Sequence, residues 1–394
     1  MTCNPNWPEI KAELMEGQTP QDRPDITARV FKLKKDQLIN DLTHGGILGE
    51  VVAHMHVIEF QKRGLPHAHI LLILADHDRL VTPALVNSVV TAELPPCPDE
   101  ANDPDAKAQR QRLQEIVISN MIHGPCGEAN QSSPCMENGK CTKKFPKEFV
   151  QQTIVDPDNC YATYQRRSPQ NGGRQLRHPK TGTMIDNSWV VPYNPYLSLR
   201  YNCHINLECC ASCKAAQYLF KYCTKGNDRA MVATEVQNQE RNEIQEYQDL
   251  RSVGSSEAAW HLMNLPITDM KPAVKALRVH LKDQQQVVFD EGQEIEALET
   301  QRETELTAFF TYNKDALDNG ADITELCKYV DMPEKHVYQD KEWRICKRGE
   351  PSIGRLHTVN PVAGDVFYLR MLLHNNHCIG KKSYIDMLKL PNGR

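Results

Sequence analysis

The sequence predicts an α+β protein, and three observations support this. Residues 51–74 contain two strand-like runs joined by turn residues, residues 123–141 are rich in Cys and His, and the pattern beyond Asp228 is mainly helical and acidic. The 394 residues, 40% of them hydrophobic, suffice for two or three domains. Neither a signal pattern nor an apolar run of roughly 20 residues is found, so we expect no membrane span. The expected location is intracellular, in the nucleus or the cytoplasm.

The 14 cysteines stand beside histidines in a long chain, which favours thiols and metal ligands over disulfides. The formal net charge of −5 is unevenly distributed. Residues 140–180 contain nine Lys/Arg against three acids, whereas residues 235–305 contain fifteen acids against seven bases. A phosphate-binding surface would therefore lie within the first 230 residues, although charge alone does not indicate DNA binding.

The elements follow from local patterns. Val51 to Phe60 and His67 to Leu74 are β-branched and apolar, and the turn residues QKRGLP between them predict a β-hairpin. Residues 75–93 are expected to be partly helical, residues 94–105 a proline-containing loop, and residues 109–122 a short helix.

Residues 186–208 are aromatic and β-branched with interspersed prolines, which predicts two short strands or sheet edges. A helix is expected from about residue 210 to residue 225, with Gly226 just beyond its end. Farther on, ETQRETELTAFFTYN and YLRMLLHNN are candidate amphipathic helices.

His67 and His69 are two residues apart on a predicted strand, so both imidazoles project from one face and could hold one divalent cation. Glu59 or Gln61, near the end of the partner strand, could complete a three-ligand site with open positions. This donor set suits Mg²⁺ or Mn²⁺ better than a closed zinc site. The alternative is a pair of half-buried strand histidines. His54 and His56 share the spacing but alternate onto the face opposite Glu59, which predicts packing or surface roles.

Tyr218 and Tyr222 are four residues apart on the predicted helix AQYLFKYCTKG, which places both phenols on one face. A phenol that attacks phosphorus forms a phosphotyrosine that preserves the energy of the phosphodiester, and two phenols allow two strand transfers. Lys221 and Lys225 could favour a phenolate or hold the scissile phosphate. Alternatively, the tyrosines form an aromatic pair in the core and the lysines are solvated.

His123, Cys126, Cys135 and Cys141 offer four ligands in a Gly/Pro/Asn-rich stretch, which is acceptable for a structural zinc knuckle. Their spacing matches no standard zinc finger, so a metal-free loop remains the alternative. A second group of Cys and His follows: Cys203, His204, Cys209, Cys210 and Cys213. A strand followed by a helix would point these side chains in different directions, so packing as small hydrophobic residues is the better interpretation.

Several enzyme classes lack their sequence motifs. There is no G-x-x-x-x-G-K-[ST] segment, and the nearest approach, Gly380-Lys381-Lys382-Ser383, lacks the upstream glycine. ATP hydrolysis is therefore not expected. No G-x-S-x-G elbow or H-E-x-x-H helix occurs either.

Read in order, a series of segments resembles the amino-terminal, helicase-like or Rep region of the Helitron transposase family: TCNPNWPEI, DRPDITARVFKLK, HVIEFQKRGLPHAHILLIL, HGPCG, NSWVVPYNPYLSLRY, HINLE and YLFKYCTKGNDRA. QKRGLPHAH and YLFKY are its specific parts, and EAAWHLMNLPI, VHLKDQQQVVF, IGRLHTVNP and YLRMLL continue it over essentially the whole chain.

The resemblance implies a His-hydrophobic-His (HUH) endonuclease with an antiparallel sheet flanked by helices. It places a divalent metal on His67 and His69, with Glu59 as the preferred third ligand and Gln61 as the alternative, and makes Tyr218 and Tyr222 the nucleophiles. Residues 1–122 and 151–230 would be two halves of the nuclease domain, residues 123–150 a Cys/His-rich insertion, and residues 231–394 a mainly helical accessory region.

The implied activity is metal-dependent nicking and strand transfer on the single-stranded DNA of transposon ends, through a 5′-phosphotyrosine. The family normally places part of its first strand before TCNP and a helicase after the position where this chain ends, at LPNGR. We therefore expect a missing sheet edge and a dependence on a helicase domain absent from this chain. The alternative is a truncated, inactive transposon remnant that at most binds DNA.

Overall fold

The structure, a computed structural model, describes residues 1–60, 64–124, 126–127, 130–156, 161–179, 182–209, 253–285, 303–346 and 351–389. The chain divides into two compact units, Met1–Asp269 and Met270–Arg394. The domain boundaries expected at residues 122, 150 and 230 remain predictions. In the described ranges, no helix combines the length and apolar character that crossing a bilayer requires.

The helices are α1 Pro8–Lys11, α2 Pro24–His44, α3 Pro83–Val89, α4 Pro104–Asn120, α5 Pro195–Tyr201, α6 Ser255–Leu262, α7 Glu305–Asp318, α8 Met332–Lys335, α9 Asp365–His374 and α10 Tyr384–Leu388. The strands are β1 Val51–Phe60, β2 Pro66–Leu74, β3 Met136–Glu137, β4 Lys140–Cys141, β5 Ile154–Val155, β6 Ala162–Thr163, β7 Gln175–Arg177, β8 Met184–Asp186, β9 Thr268–Lys271, β10 Ala273–Leu277, β11 His336–Gln339, β12 Glu342–Ile345 and β13 Ser352–Leu356. The fold is mixed α/β, with small, mostly antiparallel sheets.

The predicted β-hairpin is confirmed, with β1 and β2 antiparallel and Glu59 directly opposite His67. The sheet order is β2-β1-β9. Next to β9, the Ile58 backbone N–H donates to the Ile267 carbonyl at 2.7 Å. Because alternate residues face opposite sides of a strand, Ile58 and Ala68 lie on the face away from Glu59, and both are buried in the core of the first unit.

That core forms where α2 and α6 cover the hairpin. α2 buries Phe31 and Leu38 among its apolar residues. The fully buried Trp260 ring of α6 makes edge contacts with Phe31 and Phe60, at centroid distances of 6.2 and 6.0 Å. Its indole N–H donates to the Pro266 carbonyl, so the polar end of this large side chain is also satisfied. The segment that carries Trp260 therefore closes the core beneath the hairpin.

Residues 186–208 match the expectation of strands or sheet edges only in part, because Val190 and Tyr193 form isolated β-bridges whereas Pro195–Tyr201 form helix α5. The Asn194 side chain accepts the Leu197 backbone N–H at 3.0 Å, and proline at the first helical position needs no hydrogen-bond partner for its nitrogen. Asn202 ends the helix in the left-handed conformation, at φ 44°. The prolines and asparagines therefore mark helix ends here rather than breaks in strands.

The helix expected at residues 109–122 is present as α4, which starts earlier because the Asp103 carboxylate caps the Ala106 N–H at 2.9 Å. In the second unit, α7 and α9 lie where the amphipathic patterns predicted helices. This unit also contains the parallel pair β10 and β13 and the antiparallel pair β11 and β12. Its described residues therefore combine helices with short strands, and strands of four or five residues show too little alternation to be recognised in sequence.

Candidate metal centres

Three predicted ligands, Glu59, His67 and His69, lie on one face of the hairpin and are called here the hairpin site. The His69 Nε2 and Glu59 Oε2 atoms are 2.8 Å apart, and the two imidazole ring centroids are separated by 4.7 Å. The His69 and Glu59 side chains keep 21% and 41% of their surface exposed. Solvent, and hence a phosphate, can therefore reach this face.

Thr2 orients the first imidazole. Its hydroxyl is hydrogen-bonded to His67 Nδ1 at 2.7 Å, and an isolated β-bridge pairs the two residues. In the tautomer with hydrogen on Nδ1, the ring donates to Thr2 Oγ1 and keeps a free lone pair on Nε2. Such an outer hydrogen bond is the usual means of orienting a metal-binding histidine.

Electrostatics also prepare His67 for a cation. Burial is the main cause that lowers its pKa to about 2, and the neighbouring terminal amine of Met1, His69 and His204 add to the effect. The ring is therefore neutral at physiological pH. A neutral imidazole is the form that can donate a lone pair to a metal.

The donor set fits a hard divalent cation only in part. With metal–oxygen bonds of about 2.1 Å, neighbouring octahedral ligands are about 3 Å apart, which is close to the Glu59–His69 separation. His67 does not converge with the other two ligands. In a metal site, three or more ligand atoms of His, Cys, Asp or Glu should lie within 4.8 Å of one another. Among the described residues one group meets this condition, and it does not include the hairpin site. Glu59 and His69 therefore form a preassembled pair, and His67 is an oriented neighbour.

The other candidates for this centre lie elsewhere. Gln61, Tyr218, Tyr222 and Lys225 fall outside the described residues. His56 lies on the opposite, buried face, where its Nε2 is 3.0 Å from the Lys35 ammonium nitrogen. This position agrees with the packing role expected for it.

The group that does converge is His123, Cys126, Cys135 and Cys141, called here the Cys/His cluster. The Cys141 Sγ and His123 Nε2 atoms are 3.3 Å apart. Tetrahedral zinc with bonds of about 2.3 Å to sulfur and about 2.0 Å to nitrogen needs ligand atoms about 3.5 to 3.8 Å apart. Cys126, Cys135 and Cys141 are free thiols, so no disulfide competes within this set. The cluster could hold a metal such as Zn²⁺.

Local turns bring these ligands together. β3 and β4 form a hairpin in which Met136 is opposite Cys141. Asn138 and Gly139 between them both have positive φ, at 51° and 75°, as a two-residue type I′ turn requires. Gly124 has φ +108°, and a Cβ there would meet the Trp189 ring at 3.0 Å. The Gly-rich sequence therefore permits a tight loop around the ligands.

The two ends of the cluster differ electrostatically. Burial raises the pKa of the Cys126 thiol to about 12, and hydrogen bonding to Cys135 and Cys141 contributes. Burial acts in the same direction on Cys141, but backbone N–H groups of Phe145 and Lys143 outweigh it and lower the pKa of that thiol. Amides directed at a sulfur stabilise a thiolate, which is the metal-binding form of cysteine.

The cluster is held against the rest of the first unit. The His123 N–H donates to the Trp189 carbonyl at 2.9 Å, and a bridge joins Ile122 to Val190. The His123 ring stacks on Phe145, with centroids 4.2 Å apart. These contacts fix the amino-terminal ligand independently of a metal.

A route of hydrogen bonds connects the two centres. His204 Nδ1 is 2.7 Å from the carbonyl oxygen of Asn120, three residues before His123. The His204 carbonyl accepts the Thr2 N–H at 2.9 Å, and the Thr2 hydroxyl contacts His67. Sequence reasoning missed the roles of Thr2 and His204. Both lie in the segments TCNP and HINLE that carry the family resemblance, which was the available signal.

The first unit thus combines a histidine-bearing antiparallel hairpin with a separate Cys/His cluster, an arrangement that defines a candidate metal-dependent protein. Residues 1–72 match the family model described as the Helitron helicase-like domain at the N-terminus. This match confirms the resemblance for that segment and supports a Helitron transposase-related protein. The segment includes Glu59, His67 and His69, whereas the Cys/His cluster lies beyond it. A search of curated proteins finds no match.

Proposed function

We propose that the protein is the nicking component of a Helitron-type rolling-circle transposase, an HUH-type endonuclease that acts on single-stranded DNA. The observation that carries this proposal is the hairpin site. Glu59 and His69 are in contact, and the neutral His67 lies beside them on a solvent-accessible face. All three lie in the segment that matches the Helitron helicase-like domain.

His67, His69 and Glu59 would hold Mg²⁺ or Mn²⁺, with Gln61 as the alternative oxygen ligand. When bound, such a cation polarises a phosphate oxygen and favours attack on phosphorus. The Thr2 hydroxyl occupies His67 Nδ1, which leaves Nε2 for the cation, and Ile58 and Ala68 anchor the other face of the hairpin in the core. The protein would therefore supply the preassembled pair of Glu59 and His69, with the His67 ring oriented beside it by Thr2.

The nucleophiles in this proposal are Tyr218 and Tyr222, which the sequence places on one helix face. A phenolic oxygen forms a bond to phosphorus while the bond from phosphorus to the 3′ oxygen breaks. The products are a 5′-phosphotyrosine and a 3′-hydroxyl, which takes up a proton as the phenol loses one. Lys225 would stabilise the phenolate or the phosphate.

A covalent-adduct assay tests this function. The full chain is incubated with Mn²⁺ and 5′- or 3′-labelled single-stranded oligonucleotides, and adducts are separated by denaturing electrophoresis. We expect label on the protein only with the 3′-labelled strand, because the tyrosine retains the fragment downstream of the cut. Replacing Tyr218 and Tyr222 together by Phe should abolish the adduct and leave binding unchanged.

Two comparisons make the assay specific. His69→Gln should abolish nicking, whereas His77→Gln is the matched control, because His77 is 69% exposed and lies outside the hairpin site. If the Tyr218→Phe, Tyr222→Phe variant cuts at the wild-type rate, the nucleophile is not a tyrosine and the proposal is wrong. An inactive transposon remnant would bind the strand without forming an adduct under any condition.

The proposal also specifies partners and location. The substrate is the single-stranded DNA of transposon ends, and a helicase would unwind the donor. The expected place of action is intracellular, in the nucleus or the cytoplasm.

A further inference from the structure

The loop that follows the Cys/His cluster carries exposed positive charge. Lys140, Lys143 and Lys144 are all exposed, and none has an acidic partner among the described residues. In the same unit, Lys34 and Lys107 form ion pairs with carboxylates at 2.7 Å. The three ammonium groups of this loop are therefore available to an anionic ligand.

The cluster fixes where these lysines stand. The Lys140 backbone lies opposite that of Glu137 in the register of the β3–β4 hairpin, without an ion pair between the side chains, and Lys140 directly precedes the ligand Cys141. The Lys144 N–H donates to the Cys141 carbonyl at 2.9 Å, and Lys144 has a positive φ of 56°. Each lysine is thus within three residues of one metal ligand. A metal that orders Cys141 would therefore order all three.

Aromatic rings accompany the charges. The Phe145 ring stacks on His123. The Lys147 ammonium nitrogen lies 4.9 Å from the centroid of the same Phe145 ring. Phe149, four residues farther, keeps 45% of its surface exposed. Alternating lysines and an exposed aromatic ring match how proteins bind single strands, with phosphates on cations and bases stacked on rings.

The loop also belongs to the same unit as the hairpin site. The hydrogen bonds from Asn120 through His204 and Thr2 to His67 connect the base of the cluster to the hairpin. A strand bound at the loop would therefore lie on the body that carries the proposed nicking residues. This favours single-stranded DNA as the ligand over an unrelated acidic protein.

We propose that residues 140–149 form a zinc-organised contact for single-stranded DNA, in which Lys140, Lys143 and Lys144 bind backbone phosphates and Phe149 stacks on a base. The loop contact deepens the proposed nicking function and rests on it for the identity of the strand. Its affinity is independent of base sequence, because it reads phosphates and the faces of bases.

The test is fluorescence anisotropy of a labelled 20-nucleotide single strand with the full chain. For a single strand, each phosphate contact makes the binding constant fall with about the 0.7th power of the salt concentration. The triple variant Lys140→Gln, Lys143→Gln, Lys144→Gln should therefore bind the strand about 100-fold more weakly at 0.1 M salt. The magnitude of the slope of log K against log salt concentration should fall by about 2. Phe149→Leu should weaken binding by about 1 kcal/mol or more, roughly 5-fold at least.

A matched charge control is Lys11→Gln, Lys314→Gln, Lys341→Gln, which removes three exposed lysines outside the loop. Equal loss of affinity in both triple variants, or none in the loop variant, would overturn the inference. Lysine-dependent binding that is tighter for RNA of the same sequence would overturn the assignment to DNA.

The zinc requirement has its own measurement. Elemental analysis should find one zinc per chain in the wild type and in the lysine variant, and none in Cys135→Ser. The serine variant should lose the same affinity as the lysine variant, and combining the two should add nothing. Zinc-free protein with full affinity contradicts the role of the metal. All of these experiments measure binding or zinc content, not nicking. A wild-type protein that binds DNA through this loop but never nicks it would therefore contradict the proposed nicking function and leave the loop contact supported.

Discussion

Protonation of His56 is expected to destabilise the first unit. Burial is the main cause that lowers the pKa of this side chain from 6.5 to about 4, and the Lys35 ammonium 3.0 Å from its Nε2 is the next. Its Nδ1 has no hydrogen-bond partner among the described residues. The other charged or titratable groups that act on it are Asp36, His54 and Asp269, of which the two acids oppose the shift.

The sign follows from which state takes up the proton. Between pH 6.5 and about 4 the unfolded chain protonates His56 and the folded chain does not, so the free energy of unfolding falls as pH is lowered. At about 1.36 kcal/mol per pKa unit, the full loss is about 3 kcal/mol, complete below about pH 4. Near pH 5 the slope attributable to this one group is about 1.2 kcal/mol per pH unit.

Urea unfolding of the wild type and of His56→Gln, measured from pH 7 to pH 4.5, isolates this contribution. Glutamine keeps an acceptor for Lys35 but cannot titrate, so the variant should lose stability less steeply by the amount above. NMR titration of the imidazole should place its pKa near 4. Equal slopes in the two proteins, or a His56 pKa near 6.5, would refute the reasoning.

Three further changes test the packing and the site. Thr2→Val should weaken Mn²⁺ binding by about 10- to 100-fold in calorimetry, with Thr2→Ser near wild type, because the hydroxyl orients His67; unchanged affinity contradicts this. Glu93 forms an ion pair with Arg167, and Glu93→Gln should lower the free energy of unfolding in urea by about 2 kcal/mol, less than for a fully buried pair because Arg167 is 35% exposed. An unchanged free energy of unfolding would show that this ion pair does not stabilise the fold. Trp260→Ala should cost about 3 to 5 kcal/mol by the same measurement, and a loss below about 1 kcal/mol would show that the site collapses.

Local features of the molecule were predictable from sequence. The hairpin and the Cys/His cluster both join residues fewer than 25 positions apart, so alternation and spacing carry the information. The same face was predicted for Glu59, His67 and His69, and the register confirms that Glu59 is opposite His67. Their use as metal ligands remains a prediction.

Long-range contacts could not be predicted in this way. Thr2 reaches His67 across 65 positions, and β9 joins the hairpin from a segment about 200 residues away. Neither leaves a periodic signal. Helix α5 was misread because Pro195 is equally compatible with a sheet edge and with the first turn of a helix, and the Asn194 cap that decides between them is a single side chain.

The position of Trp260 has a consequence for synthesis on the ribosome. The ring that packs on Phe31 and Phe60 is made some 200 residues after them, and the Ile267 carbonyl that pairs with Ile58 comes later still. Until then β1 has an unpaired edge and the core lacks one of its two buried tryptophan rings, a state prone to intermolecular strand pairing. The core of this unit therefore cannot be completed until residues 260–267 have been synthesised.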